Sequence, residues 1–139
     1  MTPAVADALV AAVAEVLEVA AFELADPTDP APPPADAVAT SLQFHGPPSG
    51  AVRMWIDPAE ARAFAVATLG DDDPAPAVID DAVRELTNMI AGHVLTRVWP
   101  EVCIALDGAE LGAVGHAEAY AVHLTGEHGR IAVGMEVAP

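Results

Sequence analysis

Apolar residues recur at steps of three and four in two long segments, a spacing typical of helices packed on a core. The first segment runs from Ala4 to about Phe22 and is apolar over most of its circumference, which predicts a largely buried helix. The second covers residues 77–98. Between them, Asp57 as an N-cap acceptor and Pro58 at the first helical position predict a shorter helix. It should end at Leu69 and pack through Ala61, Phe64, Ala65 and Leu69.

Short apolar runs bounded by glycine and proline predict strands. The proline-rich stretch of residues 26–35 suits neither a helix interior nor a paired strand and is predicted to be a surface loop. The predicted strands are Val38–Phe44, Ala51–Ile56, Val102–Leu106, Ala117–Leu124 and Arg130–Val137, the first two antiparallel neighbours and the last two a hairpin across residues 126–129. The order of helix, two strands, two helices and three strands predicts a mixed α/β (α+β) fold with the helices packed on one sheet.

Composition narrows the class of protein. The length of 139 residues fits a single domain over residues 1–139, and a hydrophobic content of 53% is enough to fill its core. The chain has five arginines, no lysine and 21 acidic residues, so its formal charge is −16. Without a basic surface, nucleic acid and anionic membranes are not expected as partners.

Charge and cysteine content also predict the compartment. Asp7, Glu15 and Glu18 interrupt the apolar first helix, which argues against an export signal and against a membrane span. The single cysteine, Cys103, has no partner for an internal disulfide and is expected in a buried strand. A cytoplasmic location is therefore predicted.

The helix of residues 77–98 carries the most informative pattern. On a wheel of about 100° per residue, Asp81, Glu85, Asn88 and Gly92 follow one another along one exposed line, which we call the ridge. The opposite, buried stripe is predicted to contain Ile79, Ala82, Val83, Leu86, Met89, Ile90 and Val94.

The ridge has an ordinary explanation as a solvated helix face. Asn and Gly are nevertheless poor helix formers, and Gly costs about 1 kcal/mol relative to Ala in a helix interior. Gly92 either lets a partner approach the helix or makes room for close packing of this protein's own sheet.

Two groups of side chains can be considered as metal ligands. The spacing of the first group matches no standard ligand motif; its members are His116, His123 and His128 with Glu118 and Glu127. The second group, Asp71, Asp72 and Asp73, lacks the spacing of a calcium loop.

Residues 81–92, Asp-Ala-Val-Arg-Glu-Leu-Thr-Asn-Met-Ile-Ala-Gly, resemble the signature helix of the CheX/CheC/FliY chemotaxis phosphatases, a Glu-x-x-Asn within a stretch ending Asn-Met-Ile-Ala-Gly. The order of the other elements is also similar. A single Glu-x-x-Asn makes the chain more similar to CheX than to CheC, whose chains carry two halves. The chain departs from the family pattern at Arg84, Thr87 and His93, which are expected at the rim of the site, where they affect the choice of partner.

The resemblance implies a phosphatase that hydrolyses the aspartyl phosphate of a CheY-like response regulator. Asn88 would position the attacking water and Glu85 would pair with a cation of the regulator, while Asp81, Arg84 and Gly92 would belong to the docking surface. The regulator would supply Mg²⁺, with no metal or cofactor on this chain. A homodimer is also expected, because the family resemblance implies one and three C-terminal strands should expose a sheet edge.

Two alternatives to a phosphatase stay open at this point. The first is a noncatalytic CheX-like module that docks a receiver or motor protein. The second is a structural domain whose polar ridge has no function. Retention of Asn88 favours the phosphatase, since docking alone does not require an amide at that position.

Overall fold

A computed structural model describes residues 1–138. These residues form three α-helices and seven strands. In chain order they are α1 (Pro3–Ala21), β1 (Asp26–Pro27), β2 (Val38–His45), β3 (Gly50–Ile56), α2 (Pro58–Leu69), α3 (Pro76–Val98), β4 (Ala105–Leu106), β5 (Glu110–Gly112), β6 (Val122–Thr125) and β7 (Arg130–Val137). A 3₁₀ turn, Ala117–Ala119, precedes β6.

The strands form one antiparallel sheet in the order β1-β6-β7-β3-β2-β4, and β5 pairs with β2 as well. The helices pack on one face of this sheet, where side chains alternating along the strands join them in the main core. The strand residues in that core include Leu42, Phe44, Val52, Met54, Ile56, Leu124, Ile131 and Val133. The predicted mixed α/β fold with helices on one sheet is confirmed.

The other face of the sheet has a smaller cluster of Ala39, Trp55, Tyr120 and Ala132. Trp55 is completely buried there, with the Arg130 guanidinium 5.4 Å from its ring centroid. The 3₁₀ turn crosses β7 at Gly134, where a Cβ atom would collide with the carbonyl of Ala119. This crossing explains why the predicted strand Ala117–Leu124 begins only at Val122.

The segment between α3 and the hairpin differs from the prediction. Only Ala105–Leu106 of the expected strand Val102–Leu106 is paired, and Glu110–Gly112 adds a strand that the pattern did not predict. Both strands lie at the edge of the sheet beside β2, so each is short and exposed. Cys103 lies before β4, outside any strand, and is exposed, so its predicted burial in a strand is wrong.

Prolines and caps also behave differently from the expectation. Pro27 is paired with Leu124 in β1, which a residue without an N–H tolerates because β1 is an edge strand. Asp57 stands at the N-cap of α2 but makes no side-chain cap bond. Its carboxylate instead accepts from the backbone N–H of Arg130 at 2.7 Å. Leu69, expected to pack inward, is 56% exposed.

A buried carboxyl pair lies beneath the turn between β6 and β7, and the apolar pattern gave no sign of it. Glu60 of α2 is fully buried, and its Oε1 accepts from the backbone N–H of His128 at 3.2 Å. Glu23 accepts from the backbone N–H of Glu127 at 2.6 Å. Burial, together with the hydrogen bond and charge of Glu23, raises the pKa of Glu60 to about 8. Glu60 is therefore mainly protonated at neutral pH.

The C-terminal strand is an inner strand. β7 lies between β6 and β3, while the edges of the sheet are β1 on one side and the short β4 and β5 on the other. Of the three C-terminal strands expected to expose a sheet edge, the one predicted at Val102–Leu106 supplies the edge strand β4, whereas β6 and β7 are inner strands. β7 is paired on both sides, with β6 across the hairpin turn and with β3, which is distant in the sequence.

Candidate functional site

The buried face of α3 is wider than the predicted stripe and is turned relative to it. Five predicted residues are buried, and Ile79 and Met89 are only partly so. The stripe also includes Thr87, Ala91 and Leu95, which shifts its centre by about 60° on the wheel. This shift brings Asn88 to the border of the buried face.

Thr87 explains much of this rotation. Its side chain is fully buried, and its hydroxyl donates to the carbonyl of Val83 at 2.9 Å. The same hydroxyl lies 2.7 Å from that of Thr40 on β2, and because its own proton goes to Val83 it accepts the hydrogen bond from Thr40. The prediction that Thr87 lies at the rim of the site is wrong, because this residue ties α3 to the sheet.

The ridge is present as a continuous surface of α3. Asp81 and Glu85 are exposed, whereas Asn88 and Gly92 are half-buried. Asp81 forms an ion pair with Arg84. Among residues 1–138, the Glu85 carboxylate has no hydrogen bond or ion pair of its own, so it is free to bind a cation from outside.

Asn88 is held in one orientation by the segment that precedes β5. Its Oδ1 accepts a hydrogen bond from the backbone N–H of Ala109 at 3.2 Å. Because a backbone N–H can only donate here, the amide oxygen must face Ala109 and the NH₂ group must take the other position. Within the described part of the chain, that NH₂ group has no acceptor. The side chain therefore offers a fixed donor beside Glu85.

His93 does not lie on the ridge. Its Nδ1 is 3.6 Å from a carboxylate oxygen of Glu15 on α1, and Arg97 contacts the same carboxylate at 2.8 Å. The hydrogen bond and charge of Arg97 lower the pKa of Glu15, with a smaller contribution from His93. The expectation of His93 at the rim of the site is wrong, because the residue joins α3 to α1.

Gly92 faces open space. A Cβ atom built at this position would have no described atom within 4 Å outside its own helical neighbourhood. Close packing of this glycine against the protein's own sheet, one of the two explanations drawn from the sequence, is therefore wrong. The backbone at Gly92 is instead accessible from outside, one helical turn beyond Asn88.

The histidines considered as metal ligands do not come together. Among residues 1–138, no group of three or more His, Cys, Asp and Glu side chains is arranged to hold a metal ion. His123 packs edge-on against Trp55, and its Nε2 lies 2.9 Å from the carbonyl of Tyr120.

None of the described helices is long and apolar enough to cross a membrane.

Comparison with known proteins gives a consistent result. Residues 38–132 match the family of the chemotaxis phosphatase CheX. No curated protein sequence matches the chain. Its fold is similar to CheX from Desulfovibrio desulfuricans, with 22% identity, a TM-score of 0.78 and coverage of 96% of this chain and 99% of that chain. It is also similar to CheX from Vibrio vulnificus, with 16% identity, a TM-score of 0.79 and 96% of each chain covered. A third similar structure is the CheX–CheY–BeF₃–Mg²⁺ complex from Borrelia burgdorferi, with 14% identity, a TM-score of 0.69 and coverage of 96% and 97%.

Proposed function

Since this chain belongs to the CheX family of chemotaxis phosphatases, we propose that it hydrolyses the aspartyl phosphate of a CheY-like response regulator. The observation that carries this proposal is the pair formed by Glu85 and Asn88. An unpaired carboxylate and an oriented amide donor lie on adjacent turns of one exposed helix face. The Borrelia complex supports the class of partner, because that CheX is bound to CheY with BeF₃ and Mg²⁺.

Asn88 orients the water molecule that attacks the phosphoryl group. An aspartyl phosphate is a mixed anhydride with a good leaving group, so positioning of the nucleophile is the main task left to the phosphatase. With Oδ1 bonded to Ala109, the NH₂ group donates to the water oxygen and holds it in line with the P–O bond. Water attacks phosphorus, the bond to the aspartyl oxygen breaks, and inorganic phosphate leaves with the aspartate carboxylate restored.

Glu85 docks the regulator through a cation near its phosphorylation site. Asp81 is already paired with Arg84, so Glu85 is the carboxylate on the ridge that remains available. Gly92 leaves room for the regulator's loops to approach Asn88. Mg²⁺ would be held by the regulator, where it neutralises charge on the phosphoryl group, and this chain would contribute no cofactor.

Phosphate release from receiver domains tests the proposal directly. CheY-like receivers encoded in the same genome are phosphorylated with acetyl phosphate, and loss of phosphate is followed with and without this protein. Accelerated loss from at least one receiver is expected. If none of the receivers loses phosphate faster than by itself, the proposed activity is wrong.

One observation favours a second candidate, a noncatalytic CheX-like docking module. The hydrogen bond from Ala109 gives Asn88 a structural task that does not need catalysis. In that case the protein would bind a receiver or motor protein without changing the lifetime of its phosphate. A substitution that keeps the acceptor of Asn88 but removes its donor separates the two candidates, as argued in the Discussion.

We also propose a homodimer in the cytoplasm. The homodimer rests on the family resemblance and on the short edge strand β4, the one of the three expected C-terminal strands that lies at an edge of the sheet. The location follows from the single unpaired cysteine and from the acidic residues of α1.

A further inference from the structure

An apolar groove opens beside the ridge. It has a volume of about 470 Å³ and lies between α2 and α3, next to the C-terminal end of α1. Phe64 and Leu69 of α2 line it on one side, and Val78 and Met89 of α3 on the other. Asp81 and Glu85 also line it, so two residues of the ridge belong to the groove as well.

The groove presents apolar surface to the outside. Leu69, the last residue of α2, is 56% exposed, and Gly70 ends the helix directly after it in a left-handed conformation with φ 71°. Thr68 donates its hydroxyl to the carbonyl of Phe64 at 2.8 Å, so its polar atom is already used. The charged groups lining the groove are the carboxylates of Asp81 and Glu85. Such a groove suits an apolar side chain that lies next to a cation.

Charge decides which occupant the groove takes. A second copy of this chain carries the same formal charge of −16 and would bring its own negative field to an acidic surface. Because Asp81 is paired with Arg84 while Glu85 is unpaired, the free negative charge lies where the groove meets the ridge. A partner with a basic residue close to an apolar one satisfies both features at once.

We propose that this groove, which we call the α2–α3 groove, receives an apolar side chain of the phosphorylated receiver, adjacent to the basic residue that pairs with Glu85. This inference rests on the proposed function and adds a second contact to it. The groove lies on the Glu85 side of the ridge, so it can orient the receiver while Asn88 reaches the phosphate. Its effect is therefore on binding of the receiver and on the choice among receivers.

Leu69→Ser and Val78→Ser test the α2–α3 groove. Neither residue is fully buried, so both variants are expected to fold. We expect the KM for the phosphorylated receiver to rise about fivefold to tenfold with kcat unchanged, as for the loss of a partly buried aliphatic contact. Val137→Ser is the matched control, because Val137 is 44% exposed and lies on β7 outside the groove.

Salt distinguishes the groove from the ion pair. Raising NaCl to about 0.5 M screens charges beyond a few ångströms, so the defect of Glu85→Gln should shrink. The defect of Leu69→Ser should persist, because burial of apolar surface does not weaken in that salt. A Leu69→Ser defect that disappears with salt would contradict an apolar contact.

The results separate failure of this inference from failure of the proposed function. If the parent protein dephosphorylates a receiver and both groove variants keep its KM, the groove is not a receiver site and the phosphatase proposal stands. If the parent acts on no receiver, both proposals fail together. If Leu69→Ser changes the molecular mass in light scattering but not KM, the occupant is a second copy and the inference is overturned.

Discussion

The side-chain oxygen of Asn88 lies 3.2 Å from the backbone nitrogen of Ala109 and accepts its hydrogen bond. The two residues are 21 positions apart, and they connect the middle of α3 to the edge of the sheet. This contact fixes the orientation of the carboxamide, with its NH₂ group directed away from Ala109. It also makes the donor and the acceptor of Asn88 separable by mutation.

Asn88→Asp should abolish most turnover without loosening the fold. The substitution keeps an oxygen that accepts from Ala109 but replaces the NH₂ donor by a second oxygen. We expect kcat for phosphate release to fall about a hundredfold, as for loss of one positioned donor, with an unchanged thermal midpoint. Asn88→Ala is the comparison, since it loses both groups and should also lower stability by about 1 kcal/mol. An Asp variant with parental turnover would exclude the amide as the water-positioning group.

Glu85→Gln should weaken docking of the receiver. We expect the KM to rise about tenfold with little change in kcat, because the ion pair with the receiver's cation forms before the reaction and persists through it. The defect should therefore recover at high receiver concentration. Asp81→Asn serves as the control, since Asp81 is already paired with Arg84 and should contribute less. A lower kcat at saturating receiver would assign Glu85 a different role.

Gly92 allows a test in which stability and activity move in opposite directions. Gly92→Ala should stabilise the fold by about 1 kcal/mol, or about 3 to 5 °C in Tm, because the added methyl group meets open space and raises helix propensity. Gly92→Leu should also leave the fold intact, yet block phosphatase activity by filling the approach to Asn88. Calorimetry and phosphate release measure the two effects. A destabilised Leu variant with normal activity would contradict this role of Gly92.

Glu60 predicts a fall in stability as pH rises. Its pKa is about 8 in the folded protein against an ordinary value of 4.5, so the unfolded chain releases the proton first. The full stabilisation is present below pH 4.5, declines between the two pKa values and is lost above about 8. The slope can reach about 1.4 kcal/mol per pH unit.

Urea midpoints at pH 5, 7 and 9 measure this dependence. Glu60→Gln keeps the size of the side chain and removes its titration, so the difference between parent and variant isolates Glu60 from the histidines. The parent should lose stability relative to the variant as pH rises. Parallel curves for the two proteins would show that Glu60 ionises normally.

The homodimer is tested by light scattering. We expect a mass of about twice the 14.2 kDa of the chain, with a larger dimer fraction in added salt, because the charge of −16 on each copy opposes association. A mass of 14.2 kDa over a wide concentration range would reject the dimer. The charge-neutral comparison is the same measurement near the pI of 4.2, at which repulsion between copies is smallest.

The sequence was sufficient for features that depend on local periodicity. The helical repeat of α3 predicted that Asp81, Glu85, Asn88 and Gly92 share one face, because 3.6 residues per turn fixes their neighbours. It did not predict the rotation of α3, because full burial of the Thr87 hydroxyl is expected only where a hydrogen-bond partner for it is known. That partner, Thr40, is 47 positions away. The apolar pattern of helices and strands contains no information about such a pairing.

Hydrogen bonds made by backbone groups could not be predicted from the sequence for a similar reason. Any residue except proline could supply the N–H that Ala109 gives to Asn88, so no side-chain pattern marks it. The short edge strands β4 and β5 pair with β2 through only a few residues, and their sequence has no clear alternation. The burial of Glu60 was not predicted, because the local sequence of a helix does not distinguish a buried glutamate from an exposed one. Its burial depends on Glu23 and on the hairpin turn above it.

The edge position of β4 and β5 affects how the protein responds to heat. Segments held at the border of a sheet open through local fluctuations at a lower free energy than the inner strands, which separate only on global unfolding. Each such opening releases Ala109 and lets the carboxamide of Asn88 rotate. The competent population of the site then follows local rather than global stability. Warming would therefore disorganise the water-binding geometry, and reduce hydrogen-exchange protection at Ala109, at temperatures where the rest of the sheet is still folded.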